Sequence, residues 1–136
     1  MTEIAPENGE GFYSLGLLLA EQNRLAEAET ILAKAQSLSP DNTRIAYNRG
    51  LLLLQLKKTD EAEQLLIRAY QRDQSSVDIL HVLVNISVQK REYEKALGRI
   101  QMLQRLEPDK IEWGRLFQEV HATYEREKYF HEIRPR

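Results

Sequence analysis

The chain has 136 residues, 42% hydrophobic and 29% charged, and its 19 basic against 21 acidic residues leave a formal charge of -2. That size allows one domain, and the near-balance of charge argues against a dedicated nucleic-acid binder or a polybasic membrane anchor, which both need a strong positive field. With no cysteine in the chain, disulfide frameworks, thiolate zinc sites, iron–sulfur clusters and cysteine nucleophiles are excluded.

The first residues, Met1 to Glu7, carry acids where a secretory leader needs basic residues. The apolar runs Leu15–Ala20 and Leu51–Leu54 are far shorter than the roughly 20 residues of a membrane span. A soluble chain without membrane insertion, cytoplasmic by default, is the expectation, with residues 1–8 as an N-terminal tail.

Residues 9–42 then read as two helices. Phe12, Leu15 and Leu19 form one apolar stripe with steps of three and four, and Ala28, Leu32 and Ala35 form another. Gln22-Asn23-Arg24 separates them, and Asn23 suits the left-handed conformation that ends a helix. Ser39-Pro40-Asp41-Asn42 closes the unit, because proline cannot continue a helix. Residues 43–76 repeat the plan around a break at Lys57-Lys58, where Thr59 or Asp60 is expected to cap the next helix. Residues 77–110 repeat it around Lys90-Arg91 and end at Glu107-Pro108-Asp109. Asp109 with Glu112 reads as a capping box opening a last helix over 111–130, followed by a tail, 131–136. That helix turns Trp113, Phe117 and Val120 inward and keeps Glu112, Gln118, Glu119, Glu125, Arg126 and Lys128 outside.

These units are one pattern repeated. A shift of 34 residues superimposes Ala28, Ala62 and Ala96; Leu32, Leu66 and Ile100; Gly16 and Gly50; Leu18, Leu52, Ile86 and Val120. Glycine within a helix costs up to about 1 kcal/mol against alanine, so two glycines at one repeat position imply a compensating close approach. Gly16 facing Ala28, and Gly50 facing Ala62, are the expected contacts.

The residues Phe12, Leu15-Gly16, Leu19, Ala28, Leu32, Ala35 and Pro40 resemble the motif of the tetratricopeptide repeat family. The second unit matches it at Gly50, Leu53, Ala62, Leu66 and Ala69, departing at Ala46, Arg49 and Gln74. The third keeps Leu80, Leu83, Ala96, Ile100 and Pro108 but carries Val84 for the glycine, Ser87 for the aromatic and Leu103 for the second alanine, changes that suggest a wider helix pair. The resemblance implies an all-α fold: a right-handed α-α superhelix, or solenoid, of three helix-turn-helix repeats (9–42, 43–76 and 77–110) with a C-terminal capping helix. Such arrays need polar caps at their ends. Nothing cap-like is read before Gly9, so self-association into a homo-oligomer through an uncapped N-terminal end is admitted.

The resemblance also implies where a guest sits, because the first helix of each pair lines the inner side in this family. The inward residues by repeat position are Tyr13, Leu17 and Ala20; Arg44, Tyr47, Asn48, Leu51 and Leu54; Asp78, His81, Asn85 and Val88; and Glu112, Arg115 and Glu119. Tyr13, Leu17, Arg44, Tyr47, Asn48, Leu51, His81, Asn85, Val88 and Arg115 are the candidate peptide-binding residues, apolar and aromatic toward the N-terminal end and polar toward the other. The lysine–asparagine clamp with which one subclass holds a terminal carboxylate is missing: Asn48 occupies one of its places, but Tyr13, Leu17, Asp78 and Val82 occupy others.

Catalytic and metal signals are weak by comparison. His81, His121 and His131 lack the His-x-x-x-His spacing of a helical zinc site, and no nucleophile elbow, P-loop or dinucleotide fingerprint occurs. Glu27/Glu29 and Glu61/Glu63 fall on the solvated side of second helices, without a pocket to shift their pKa. Lys57-Lys58 and Lys90-Arg91 are a thin footprint for nucleic acid. The expectation is a non-enzymatic protein-interaction module, scaffold or adaptor, with no cofactor and no metal, binding a protein or peptide partner. A small chaperone for one client, or the repeat segment of a larger enzyme or assembly factor, are the alternatives.

Overall fold

A computed structural model describes residues 9–133. The expected tail over 1–8, and residues 134–136 of the expected tail over 131–136, lie outside the described residues. All regular structure among the described residues is α-helical: α1 (Gly9–Glu21), α2 (Leu25–Leu38), α3 (Thr43–Gln55), α4 (Thr59–Arg72), α5 (Val77–Gln89), α6 (Tyr93–Leu106) and α7 (Ile111–Ile133). Helices α1, α3, α5 and α7 therefore begin 34 residues apart, as do α2, α4 and α6. The chain divides into two compact units between Gln74 and Ser75.

Each hairpin turn is built the same way. Asn23, Lys57 and Arg91 take positive φ, at 61°, 63° and 60°. The next residue's N–H reaches back five positions, Arg24 to the Leu19 carbonyl at 2.9 Å, Lys58 to Leu53 and Glu92 to Ser87 both at 2.8 Å. This is the Schellman arrangement, which satisfies carbonyls a helix end leaves free. Asparagine tolerates that conformation, whereas lysine and arginine adopt it at a cost of roughly 1–2 kcal/mol, held there by those bonds.

Caps at the helix starts follow the sequence only in part. The Asn42 carboxamide accepts from the N–H groups of Arg44 (3.0 Å) and Ile45 (3.2 Å), and Ser76 Oγ from Ile79 (3.3 Å). Neither Thr59 nor Asp60 caps α4: the helix already includes both, and the cap position falls on Lys58, which makes no side-chain cap bond. Helix α7 starts at Ile111, so the cap position falls on Lys110 and not on Asp109; the helix runs past residue 130 to Ile133.

In the first unit, Tyr13, Leu19, Ala28, Leu32, Ala35, Ile45 and Leu52 form a core drawn from α1, α2 and α3. A methyl built on Gly16 would stand 2.5 Å from Leu32 Cδ2, and one on Gly50 2.7 Å from Leu66 Cδ2. The close approach is real, but the neighbours are Leu32 and Leu66, one helical turn beyond the expected Ala28 and Ala62. Side chains lean toward the N-terminus of their helix, which carries the longer Leu32 and Leu66 back over the glycines. Arg49, which departs from the family's leucine, reaches from α3 to the Glu29 carboxylate at 2.7 Å and to Gln36 Oε1 at 2.8 Å on α2. Leu18 is 49% exposed while its repeat-equivalent Leu52 is buried against the first hairpin.

In the second unit α5 is the most buried helix, contributing Ile79, Leu80, Val82, Leu83, Val84, Ile86 and Ser87 to the interior. The three departures from the family pattern, Val84, Ser87 and Leu103, are all fully buried. Ser87 Oγ donates to the Leu83 carbonyl, and the Arg99 guanidinium of α6 donates to both Ser87 Oγ and that carbonyl. Helix α7 is held on α6 by two crossed bonds: Tyr93 donates to Glu127 at 2.9 Å and Tyr124 to Glu94 at 2.6 Å, with the two rings stacked 5.8 Å apart.

Candidate functional site

In the first unit the expected guest-facing residues divide into two groups. Tyr13 is buried at 8% exposure, and its hydroxyl accepts from Asn48 Nδ2 at 2.7 Å. Asn48 also donates to the Arg44 carbonyl at 3.0 Å, and the Arg44 guanidinium lies 5.7 Å from the Tyr13 ring centroid and 3.4 Å from Glu10. Tyr13, Arg44 and Asn48 thus spend much of their bonding capacity on one another, tying α1 to α3. Leu17 packs on the first unit's core, and Tyr47 and Leu51 are half-buried.

In the second unit a hollow of about 340 Å³ opens between α5 and α7, with Tyr93 of α6 also lining it. Its walls are Asn85, Val88 and Gln89 from α5, and Leu116, Glu119, Val120 and Thr123 from α7. Asn85 and Val88 were expected by repeat position, as was the inward Glu119; Gln89, Tyr93, Leu116 and Thr123 were not. The spacing explains the arrangement: 85, 88 and 89 share one helical face, as do 116, 119, 120 and 123. Val88, Leu116, Val120 and the Tyr93 ring give an apolar floor, and Asn85, Gln89, Thr123 and Glu119 a polar rim. Pockets of a few hundred Å³ with this division of chemistry suit a side chain and its flanking backbone.

Four expected residues of this unit, Asp78, His81, Glu112 and Arg115, lie outside that hollow. His81 is half-buried with its ring edge-on to Trp113, centroids 5.0 Å apart, and Trp113 Nε1 donates to Glu107 at 2.8 Å. Arg115 is exposed on α7. A second, larger hollow of about 530 Å³ is lined by Arg91, Tyr93, Tyr124, Glu127, Lys128, Phe130 and His131, a set that no repeat position singles out. Burial, reinforced by donation to Glu127, raises the Tyr93 hydroxyl above the ordinary tyrosine value of 10.0. Donation to Glu94 does the same for Tyr124. The histidines stand apart: His81 against Trp113, His121 stacked on Phe117, and His131 at the second hollow. Among the described residues no group of three or more His, Asp or Glu is placed to hold a metal ion, and no helix is long and apolar enough to cross a membrane.

One tetratricopeptide repeat family model matches residues 3–43 and again 13–77, and a second matches 53–119. The chain belongs to the tetratricopeptide repeat family. Its helix hairpins are those of solved tetratricopeptide repeat (TPR) domains. The first TPR domain of Spaghetti (RPAP3), bound to the HSP90 peptide SRMEEVD, aligns with a TM-score of 0.76 at 18% identity, over 90% of this chain and 98% of that one. The OM64 TPR domain of Arabidopsis aligns at 0.73 and 18% identity, over 84% and 94%. The type III secretion translocator chaperone SycD of Yersinia enterocolitica aligns at 0.71 and 20% identity, over 96% and 90%. At these identities the likeness is one of fold. No curated protein matches the chain.

Proposed function

We propose that this TPR protein is an interaction module that docks a peptide or helical segment of a partner protein against the inward residues of its first-of-pair helices, acting as scaffold or adaptor. The observation that carries this reading is the hollow between α5 and α7, where an apolar floor at Val88, Leu116 and Val120 is rimmed by the amides of Asn85 and Gln89. Such a surface seats a side chain as anchor and bonds the guest's backbone on either side. The first unit, taken by itself, presents the half-buried Leu17, Tyr47 and Leu51 as an apolar face, on helices that the Tyr13–Asn48–Arg44 set ties together. The RPAP3 domain with its bound HSP90 peptide supports peptide docking as a use of this fold. The likeness to a secretion chaperone over 96% of this chain favours a second reading, in which the partner is a single client that the module keeps soluble.

The test begins with a pull-down from the native extract and mass spectrometry, followed by titration of the purified partner against Leu51→Arg, Tyr47→Ala and Val88→Arg. Binding is expected to be lost with helicity by circular dichroism unchanged. Binding that survives all three overturns the proposal. A client that is insoluble alone and soluble on co-expression selects the chaperone reading.

A further inference from the structure

Four of the six large apolar side chains left exposed among the described residues stand on α7: Ile111 (74%), Tyr129 (59%), Phe130 and Ile133 (54%). Phe130 lines the larger hollow, but the other three fall on one outward stripe of the helix. That stripe runs Ile111, Arg115, Gln118, Ala122, Arg126, Tyr129 and Ile133, all exposed. Its steps are four, three, four, four, three and four, the spacing of a continuous helical face. The spacing also reads the same from both ends, with Ala122 at the centre. Trp113 and Val120 are buried on the opposite side, where Tyr124 and Glu127 bond to α6. No element of the second unit covers the stripe.

We propose that α7 is the contact between two copies of this chain, its outward stripe packing antiparallel on the same stripe of a second copy about a two-fold axis at Ala122. In such a contact residue i meets j and j meets i. Reversal about position 122 sets Ile111 against Ile133 of the second copy and Arg115 against its Tyr129 ring, a cation–π pairing. Gln118 meets Arg126, and Ala122 meets Ala122, small enough for the helices to come close where they cross. Charge selects this direction. A parallel pairing would set Arg115 beside Arg115 and Arg126 beside Arg126. In the antiparallel one, Glu119 and Arg126 lie three and four residues from the axis and seven apart, on one side of the helix. Each Glu119 therefore meets the second copy's Arg126, twice per contact. Glu119 is in no ion pair among the described residues, and Arg126 donates to Thr123 at 3.3 Å. The remaining charges fit the same register. Glu132 falls beside the second copy's Lys110, which sits with Glu107 and Glu112. Glu125, on the opposite flank from Glu119, faces Gln118, and Lys128 stays over its own Tyr124 ring. No like charges are set opposite one another.

The test is sedimentation equilibrium of the whole chain from about 5 to about 500 µM, where monomer and dimer are expected in exchange. Glu119→Arg and Arg126→Glu, both exposed and each checked for helicity by circular dichroism, are each expected to weaken the dimer by roughly tenfold or more. Mixing the two variants, or combining both changes in one chain, is expected to restore it, because either arrangement returns a carboxylate to every guanidinium. The chain has no cysteine of its own, so Ala122→Cys is expected to give a disulfide-linked dimer under mild oxidation, and Gln101→Cys, exposed on α6, is not. A chain that stays monomeric across that range overturns the proposal. So does a dimer that neither charge variant weakens, or one captured through Gln101→Cys and not through Ala122→Cys.

Discussion

Replacing Gly16 by alanine tests the packing of the first hairpin with a sign that propensity alone gets wrong. In an isolated helix the change stabilises by up to about 1 kcal/mol. Here the new methyl would stand 2.5 Å from Leu32 Cδ2 and 2.7 Å from Leu32 Cγ, against an ordinary carbon–carbon contact of roughly 3.5–4.0 Å. Leu32 is 1% exposed and packed in the core of this unit, so relieving the overlap displaces its side chain or moves α1 off α2. Overpacking of this kind costs about 1–3 kcal/mol, and an overlap of about an ångström belongs at the upper end, leaving a net loss near 2 kcal/mol after the propensity gain. Gly98 on α6 is the control, since a methyl there meets nothing within 4 Å; Gly98→Ala should stabilise by about 0.5–1 kcal/mol. In thermal melts followed by circular dichroism, Gly16→Ala should lower Tm by roughly 6–10 °C and Gly98→Ala raise it by a few degrees. A rise in Tm for Gly16→Ala would refute the close approach of α1 and α2.

Two further outcomes follow from the polar ties. Arg49→Ala leaves Glu29 half-buried without its partner and should cost about 1–2 kcal/mol in urea unfolding, more than an exposed pair is worth; adding Glu29→Ala should recover part of that loss, and strict additivity would show that the pair is uncoupled. The raised Tyr93 and Tyr124 hydroxyls bind protons more tightly folded than unfolded, so their contribution is fully present below pH 10.0 and is lost as pH rises through their folded values. Stability should accordingly fall above about pH 10 in the parent, and the slope should lessen in Tyr93→Phe/Tyr124→Phe; identical slopes would remove the crossed bonds from the account.

Much of this architecture is written in the repeat. The apolar stripes and breaks locate all seven described helices, because a fixed period leaves each turn only one place to fall. The left-handed residue is legible chemically at Asn23 and only by register at Lys57 and Arg91, where nothing in the side chain asks for it. The glycine contacts were misplaced by one turn because sequence spacing does not carry the lean of a side chain along its helix. The candidate site was less legible. Periodicity puts Tyr13 and His81 on the inward face, but it cannot say that Asn48 and Trp113 arrive there to occupy them. The Tyr93–Glu127 and Tyr124–Glu94 bonds join residues 34 and 30 positions apart and follow no local pattern.

The most direct test of a guest on the inward faces is photo-crosslinking with benzoylphenylalanine placed singly at exposed Arg44 and Asn85, on α3 and α5, and at exposed Gln64 and Gln101, on α4 and α6. The partner should be captured from positions 44 and 85 and not from 64 or 101. Capture from 64 or 101 with 44 and 85 silent would place the guest on the second helices and contradict the docking surface.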